Sequence, residues 1–187
     1  MTGQSIGTVA AASRRVDTGV SVPAPEVVCF EALEVEHVAM HYAIRRAVFV
    51  DEQAIFALSD IDEHDARNSV VHVLAMRGDH PVGAVRLYPV DAEEGLWKGD
   101  RLAVLRPCRA YGVGAPLVRF AVAQAAARGG RQMTARVQVP NLRFFERLGW
   151  SKNGDSEEYL GRSHQTMSIM LNDTATSRSA SDRGSLP

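Results

Sequence analysis

The chain has 187 residues and a formal net charge of −1, and its 45% apolar and 23% charged residues are typical of a globular protein with a full core. This composition excludes a disordered chain, and no apolar run approaches the roughly 18 residues that span a bilayer. The two cysteines, Cys29 and Cys108, are too few for a disulfide framework. We therefore expect a cytoplasmic protein, with no nucleic acid and no membrane among its partners.

Composition divides the chain into three segments. Residues 1–25 mix Gly, Ser, Thr, Val and Pro without periodicity, which is typical of a flexible segment. Residues 172–187 offer almost nothing to bury, so they cannot offset the entropy cost of ordering. We predict one folded domain over residues 26–171, between a flexible amino-terminal segment and a disordered carboxy-terminal tail.

Within that domain, the apolar pattern alternates between the periods of strands and helices. In chain order it predicts a strand, a helix, an acidic loop, a hairpin, and then strand, helix, strand, helix and strand. The corresponding ranges are Val27–Phe30, Val38–Val50, Ser59–Asn68, Val70–Met76 with Val82–Tyr88, Leu102–Leu105, Val113–Arg128, Met133–Val139, Asn141–Leu148 and Thr166–Leu171. This order predicts an α/β (α+β) domain with one central mixed sheet.

The segment that connects the strand Leu102–Leu105 to the next helix carries the most specific signal. Gly112 and Gly114 open the helix and let the backbone approach a ligand closely, with free N–H groups exposed. Those amides and the helix dipole favour a phosphate group, and Arg109 stands just upstream to neutralise charge. The pattern lacks the third glycine of a dinucleotide loop and the ending of a P-loop. A tight helix start without a ligand is the structural alternative.

Three segments, in this order, resemble motifs of the GCN5-related N-acetyltransferases. RAYGVGA at 109–115 resembles the family's pyrophosphate-binding motif, and NLRFFERLGW at 141–150 resembles its second conserved segment. Upstream, RRAVFVDEQ at 45–53 is similar to the first-helix signature. The resemblance covers roughly residues 30–171 and implies a mixed, mostly antiparallel sheet flanked by helices.

The resemblance implies acetyl-CoA as co-substrate and no metal. Backbone groups of Leu102, Ala103 and Val104 would pair with the pantetheine arm at a splay between the fourth and fifth strands, and the Val104 N–H would hold the oxyanion. Asn141 and Phe144 would contact the cofactor near its thiol and arm. The residues implied to hold the pyrophosphate through their amides are Arg109, Ala110, Tyr111, Gly112, Val113, Gly114 and Ala115.

The sequence departs from the family at one position. The residue after Phe144 is commonly a tyrosine that protonates the leaving thiolate, and here it is Phe145, which cannot donate a proton. Another group or water must then supply the proton, and the general base is unassigned. No nucleophile is suitably activated, so we expect direct attack in a ternary complex.

Acidic residues suit an amine acceptor because they attract its cation. Glu52 ends the first helical region, where the acceptor pocket of this fold would lie, and it is our candidate for acceptor binding or a water-mediated base. A solvated charge at a helix end is the alternative. Asp60 and Asp62 belong to an acidic loop that we predict to be solvated, with acceptor binding as the second reading. Its spacing does not match a calcium loop.

We predict an N-acetyltransferase acting on the amine of a small molecule. RxVFVxEQ at 46–53, the acidic loop and WKGDRLAV at 97–104 also resemble acetyltransferases of bacterial nitrilase gene clusters. Dimers are common in the family, so a homodimer is a candidate assembly. Two alternatives stay open: an acyl-homoserine-lactone synthase, and a sensor that binds acyl-CoA without turnover. The residues that resemble those of the synthase are Arg45, Phe49, Asp60, Asp62, Asp65, Arg86 and Leu87.

Overall fold

The computed structural model describes residues 25–171, so the tail predicted at 172–187 and nearly all of the predicted flexible segment lie outside the described residues. The strands are β1 Val27–Glu31, β2 Val71–Arg77, β3 His80–Asp91, β4 Leu96–Val104, β5 Gln132–Gln138, β6 Ser151–Tyr159 and β7 Arg162–Met170. The α-helices are α1 Val35–Arg46, α2 Gly114–Ala127 and α3 Leu142–Glu146. Shorter helical turns cover Ala47–Glu52, Glu63–Ala66, Arg106–Tyr111 and Val139–Asn141.

The described strands form one seven-stranded sheet in the order β1-β2-β3-β4-β5-β7-β6. Each neighbouring pair is antiparallel except β4 with β5, which is parallel. With helices flanking the sheet, this architecture confirms the predicted fold class.

Each face of the sheet carries its own core, because successive side chains of a strand point to opposite faces. On one face, which we call the α2 side, α2 and α3 pack against the larger apolar core of Val85, Met133 and Trp150. On the other, the α1 side, the first helical region packs against Leu74 and Ala84. The two sides therefore differ in the helices that cover them.

The functionally important irregularity is a gap between β4 and β5. Their ladder begins at Leu96 with Gln132 and ends at Gly99 with Ala135. A β-bulge follows in β4, where the register with β3 shifts and Arg101 adopts a positive φ of 53°. Because a bulge bends and twists its strand, β4 separates from β5 beyond residue 99, which produces the predicted splay.

Some element bounds differ from the sequence prediction. β6 was not predicted, since its nine residues SKNGDSEEY are polar and all exposed. β4 begins at Leu96 rather than Leu102, and α3 ends at Glu146 rather than Leu148. The first helix continues beyond Arg46 as a π-helical turn that ends at Glu52.

Candidate active site

A cavity of about 460 Å³ lies at the gap between β4 and β5. Residues 99–102 of β4 and 135–138 of β5 form its edges, and side chains from both faces of the sheet form its walls. The cavity therefore passes through the sheet and connects the α1 side with the α2 side.

The two ends of this cavity have different chemistry. On the α1 side, polar and aromatic groups predominate, as the alternation of β4, β5 and β7 requires. The α1-side residues are Phe49, Gln53, Phe56, Asp62, Glu63, His64, Tyr88, Lys98, Asp100, Arg101, Arg136, Gln138, Tyr159 and His164. The walls on the α2 side are apolar: Val85, Leu102, Val118, Ala121, Met133, Ala135, Val137, Phe145 and Trp150.

The predicted pyrophosphate loop is a short 3₁₀ turn followed by the amino terminus of α2. Gly112 takes a left-handed conformation with φ 70°, which glycine adopts without strain. A Cβ at Gly114 would lie 3.2 Å from Cζ of Phe144, so the absent side chain lets α3 approach the loop closely. No side chain of the described residues caps α2. Its first N–H groups are thus available to an anion.

Arg109 and Glu52, predicted for different roles, form one ion pair. Nη1 and Nη2 of Arg109 each lie 2.8 Å from a carboxylate oxygen of Glu52, and Nε donates to the Val104 carbonyl at 3.1 Å. The hydrogen bond from Arg109 holds the pKa of the Glu52 carboxyl below its usual value. This pairing makes Glu52 a weaker base than expected and places it beside the loop, while Gln53 lines the cavity.

The acidic loop is tied to two fully buried arginines. Arg45 donates from Nε to Asp60 at 2.7 Å and from Nη1 to Asp65 at 2.6 Å. Arg86 contacts Asp62 at 2.6 Å, Asp65 at 2.7 Å and, across the sheet, Asp100 on β4. These contacts fix the loop on the α1 side of the sheet.

The structure thereby corrects the prediction of a solvated acidic loop. Asp60 is only 3% exposed and is held by Arg45 and Arg101, so the acceptor role predicted for it is not supported. Asp62 lines the cavity, and its contact with an acceptor stays a prediction. Burial alone would raise the pKa of Asp62, but the hydrogen bonds and charge of Arg86 lower it below the usual value.

The ion-pair cluster carries a net negative charge. Its three arginines, Arg45, Arg86 and Arg101, face four aspartates. The four are Asp60, Asp62, Asp65 and Asp100. One negative charge is left over, and Asp62 and Asp100 present it to the cavity. The α1-side wall as a whole is balanced, because Asp62, Glu63 and Asp100 line the cavity together with Lys98, Arg101 and Arg136.

Two histidines line the cavity, and the sequence analysis had assigned neither. His164 on β7 is 8% exposed and its Nδ1 lies 2.9 Å from the Arg162 carbonyl, so Nδ1 carries the proton and Nε2 is left with its lone pair. His64 stacks on Tyr88 with ring centroids 4.2 Å apart. His64 belongs to the acidic loop that the sequence analysis considered, whereas His164 lies far along the chain from every recognisable motif and was missed.

A second pair of histidines is structural. His41 donates from Nδ1 to the Val73 carbonyl at 3.1 Å, and its Nε2 accepts from Nδ1 of His72 at 3.2 Å. Burial lowers the pKa of His41 to about 3. His72 is also buried. Both rings are therefore neutral parts of the core.

The remaining predicted cofactor residues lie around the α2 side. Asn141 and Phe145 line the cavity, and Phe144 packs on Gly114. Phe145 meets Trp150 edge to face, with centroids 5.4 Å apart, so the position of the family's tyrosine is an apolar wall. Between residues 25 and 171 there is neither a helix able to cross a membrane nor a cluster of three metal-ligating side chains.

Comparison with known proteins identifies the family. The profile of the acetyltransferase (GNAT) family matches residues 33–150, and the chain therefore belongs to this family. The uncharacterized N-acetyltransferase YjcF of Bacillus subtilis is 32% identical over 117 residues, which are 62% of this chain and 79% of YjcF. Membership supports an acyltransferase with a coenzyme A-based co-substrate.

Solved structures share the fold. ElaA of Escherichia coli has a TM-score of 0.67 at 22% identity, covering 77% of this chain and 98% of ElaA. The CoA-dependent acyl-homoserine lactone synthase BjaI, solved with SAM and isopentyl-CoA, has a TM-score of 0.64 at 20% identity, covering 79% of this chain and 83% of BjaI.

Proposed function

We propose that this protein transfers an acyl group from coenzyme A to an amine of a small molecule, by direct attack in a ternary complex. The observation that carries the proposal is the cavity through the gap between β4 and β5. The uncapped start of α2 follows the β4 edge of the cavity along the chain, and three carboxylates among the α1-side groups offer contacts to an amine cation. A thioester and an amine could therefore meet within the sheet.

On the donor side, pyrophosphate would lie on the amides at 109–115 and pantetheine would enter the gap. The Leu105 N–H donates to Val82 on β3 at 3.1 Å. Because alternate residues direct their backbone groups to opposite edges of a strand, the Val104 N–H points into the gap. In this proposal it serves pantetheine or the oxyanion, and Leu102 lines the cavity itself.

On the acceptor side, an amine arrives as a cation and must lose a proton before attack. Asp62 is a poor proton acceptor because Arg86 holds its pKa down, and Glu52 is occupied by Arg109. We assign the proton to Nε2 of His164, directly or through one water. If the β4–β5 register continued past Gly99, Leu102 would lie opposite Gln138, and Gln138 pairs with His164 on β7. His164 therefore lies across the gap from the end of β4.

The step balances without a covalent enzyme intermediate. The amine transfers one proton to the imidazole, and its lone pair forms the C–N bond to the thioester carbon. The nitrogen of the tetrahedral adduct gives its second proton to solvent as the C–S bond breaks. Coenzyme A leaves as thiolate, which takes a proton from the imidazolium or from solvent, so one proton is released overall. Phe145 contributes no proton to this step.

A thiol-release assay tests the proposal. Acetyl-CoA is mixed with a panel of amines, and free thiol is measured with the wild type and with Gly114→Val, in which the new side chain would meet Phe144. We expect amine-dependent thiol release by the wild type alone. Binding of CoA without release for any amine would contradict the proposal and favour the sensor alternative.

A second candidate is an acyl-homoserine-lactone-type synthase. Contacts among Arg45, Asp60, Asp65 and Arg86 favour it. From the sequence alone, these residues showed only a resemblance to the synthase. BjaI was solved with SAM, so S-adenosylmethionine belongs in the amine panel, with the product identified by mass spectrometry. The nitrilase-cluster subtype, the cytoplasmic location and the homodimer stay predictions.

A further inference from the structure

We propose that the α2 side of the cavity is a subsite for the acyl chain of the donor, and that it accepts an apolar chain of medium length in preference to acetyl. The inference rests on the proposed function, because it requires coenzyme A in the gap. It adds the class of acyl group that this protein would transfer.

Only the acyl group can reach the deepest part of the cavity. The β4 edge is free from Asp100 onward, so pantetheine and its thioester must lie beyond the end of the ladder at Gly99. In the opposite direction along the strands, away from the pantetheine, the cavity extends to Met133, which lies two residues before Ala135 on β5. Two residues of a strand span about 6.6 Å. That distance matches an extended chain of about five carbons.

The walls of this part exclude a charged acceptor. Ala121, Met133 and Trp150 are each at most 4% exposed and belong to the continuous apolar core of the α2 side. An ammonium ion there would lose its hydration without a carboxylate to replace it. An acyl chain would gain instead, since burial of each methylene strengthens binding by about fourfold.

Small side chains and one flexible side chain provide the space. Ala121 and Ala135 face the cavity. Met133 closes its end, and a Cβ at Gly99 would lie only 2.5 Å from Cε of Met133. Methionine adapts readily to its surroundings, so the end of the subsite can adjust to chain length.

Calorimetric titration with CoA, acetyl-CoA and hexanoyl-CoA tests the subsite without an acceptor. Four additional methylenes lead us to expect that hexanoyl-CoA binds the wild type at least about tenfold more tightly than acetyl-CoA. Ala121→Leu should remove this difference, because the larger side chain fills the space of the acyl chain. Ala123→Leu is the matched control, because it makes the same substitution on the exposed side of α2.

The possible outcomes separate the subsite from the proposed function. If hexanoyl-CoA binds no more tightly than acetyl-CoA while both bind the wild type, the subsite is overturned and the proposed function stands. If none of the three ligands binds the folded wild type, the proposed function fails and the subsite with it. Should Ala121→Leu not fold, Met133→Ala replaces it. That variant should shift the preference towards octanoyl-CoA, and an unchanged preference would overturn the subsite.

Discussion

The two sides of the cavity are built by different forces. On the α1 side, charged groups from the acidic loop, β3 and β4 are fixed by ion pairs such as Arg86 with Asp62 at 2.6 Å. On the α2 side, the walls are apolar side chains of the core, with only shape to define the space. Acceptor binding should therefore change when charged residues are substituted, whereas donor binding should change when the volume of apolar side chains is altered.

The largest expected effect comes from the charged side. Arg45→Met removes one arginine from the buried Asp60 and Asp65, which keep only Arg101 and Arg86 against their charge. This should lower the free energy of unfolding by about 3 kcal/mol. Arg46→Met is the matched control: this neighbour is exposed and its pair with Asp51 is long, at 4.0 Å, so the expected loss is about 0–1 kcal/mol. Urea unfolding of both variants checks this. Equal losses of unfolding free energy in the two variants would contradict the conclusion that buried ion pairs hold the α1 side together.

The second effect concerns proton transfer on the same side. His164→Asn keeps a polar side chain but cannot accept a proton, so kcat/KM for acyl transfer should fall about 100-fold and lose its dependence on an imidazole in the pH profile. Charged and titratable groups near this ring are Arg136, Glu157, Tyr159 and Arg162. His80→Asn, an exposed control, should retain full activity. An unchanged pH profile for His164→Asn would remove His164 from the mechanism.

Gly114→Val tests the loop near the opposite end. The added side chain would meet Phe144 and displace the amides at the start of α2, and hydrogen bonds to a charged group are each worth about 1.5–3 kcal/mol. We expect the Kd for CoA to rise by about tenfold or more in a calorimetric titration. Gly129→Ala, at the far end of α2, should cost stability and leave the Kd unchanged. Equal effects on binding would show that the loop does not hold the cofactor.

The smallest effect at neutral pH is a pH dependence of stability, which develops only as the pH falls. The folded pKa of His41, about 3, lies below its unfolded value. The unfolded state therefore binds more protons as pH falls below about 6.5. The contribution of His41 to the free energy of unfolding is fully present above that pH, and it falls by about 1.4 kcal/mol per pH unit below it. Denaturant titrations from pH 7 to 4.5 should show a shallower decline for His41→Gln than for His80→Gln. Identical slopes would contradict the buried neutral pair.

The sequence predicted the α2 side better than the α1 side. The predicted phosphate loop is a local feature of the chain. Its glycines, the preceding strand and the following helix are contiguous, so periodicity and turn chemistry suffice to predict where they lie. Phe145 at the apolar wall was likewise identified from its motif. The hairpin of β2 and β3 followed from two β-branched runs for the same reason.

The α1 side depends on contacts between distant segments. The acidic loop was interpreted as solvated because its partners, Arg45 and Arg86, lie on a helix and a strand elsewhere in the chain. His164 gave no signal, since its role depends on the pairing of β7 with β5. β6 escaped notice because an exposed edge strand needs no apolar alternation.

A crystal structure of the complex with coenzyme A would test the central claim most directly. We expect the pyrophosphate to lie on the amides at 109–115 and the pantetheine to lie between residues 102–104 of β4 and 136–138 of β5. The thiol should lie at the boundary between the polar and apolar sides. Coenzyme A bound outside the gap, with the cavity empty, would contradict it.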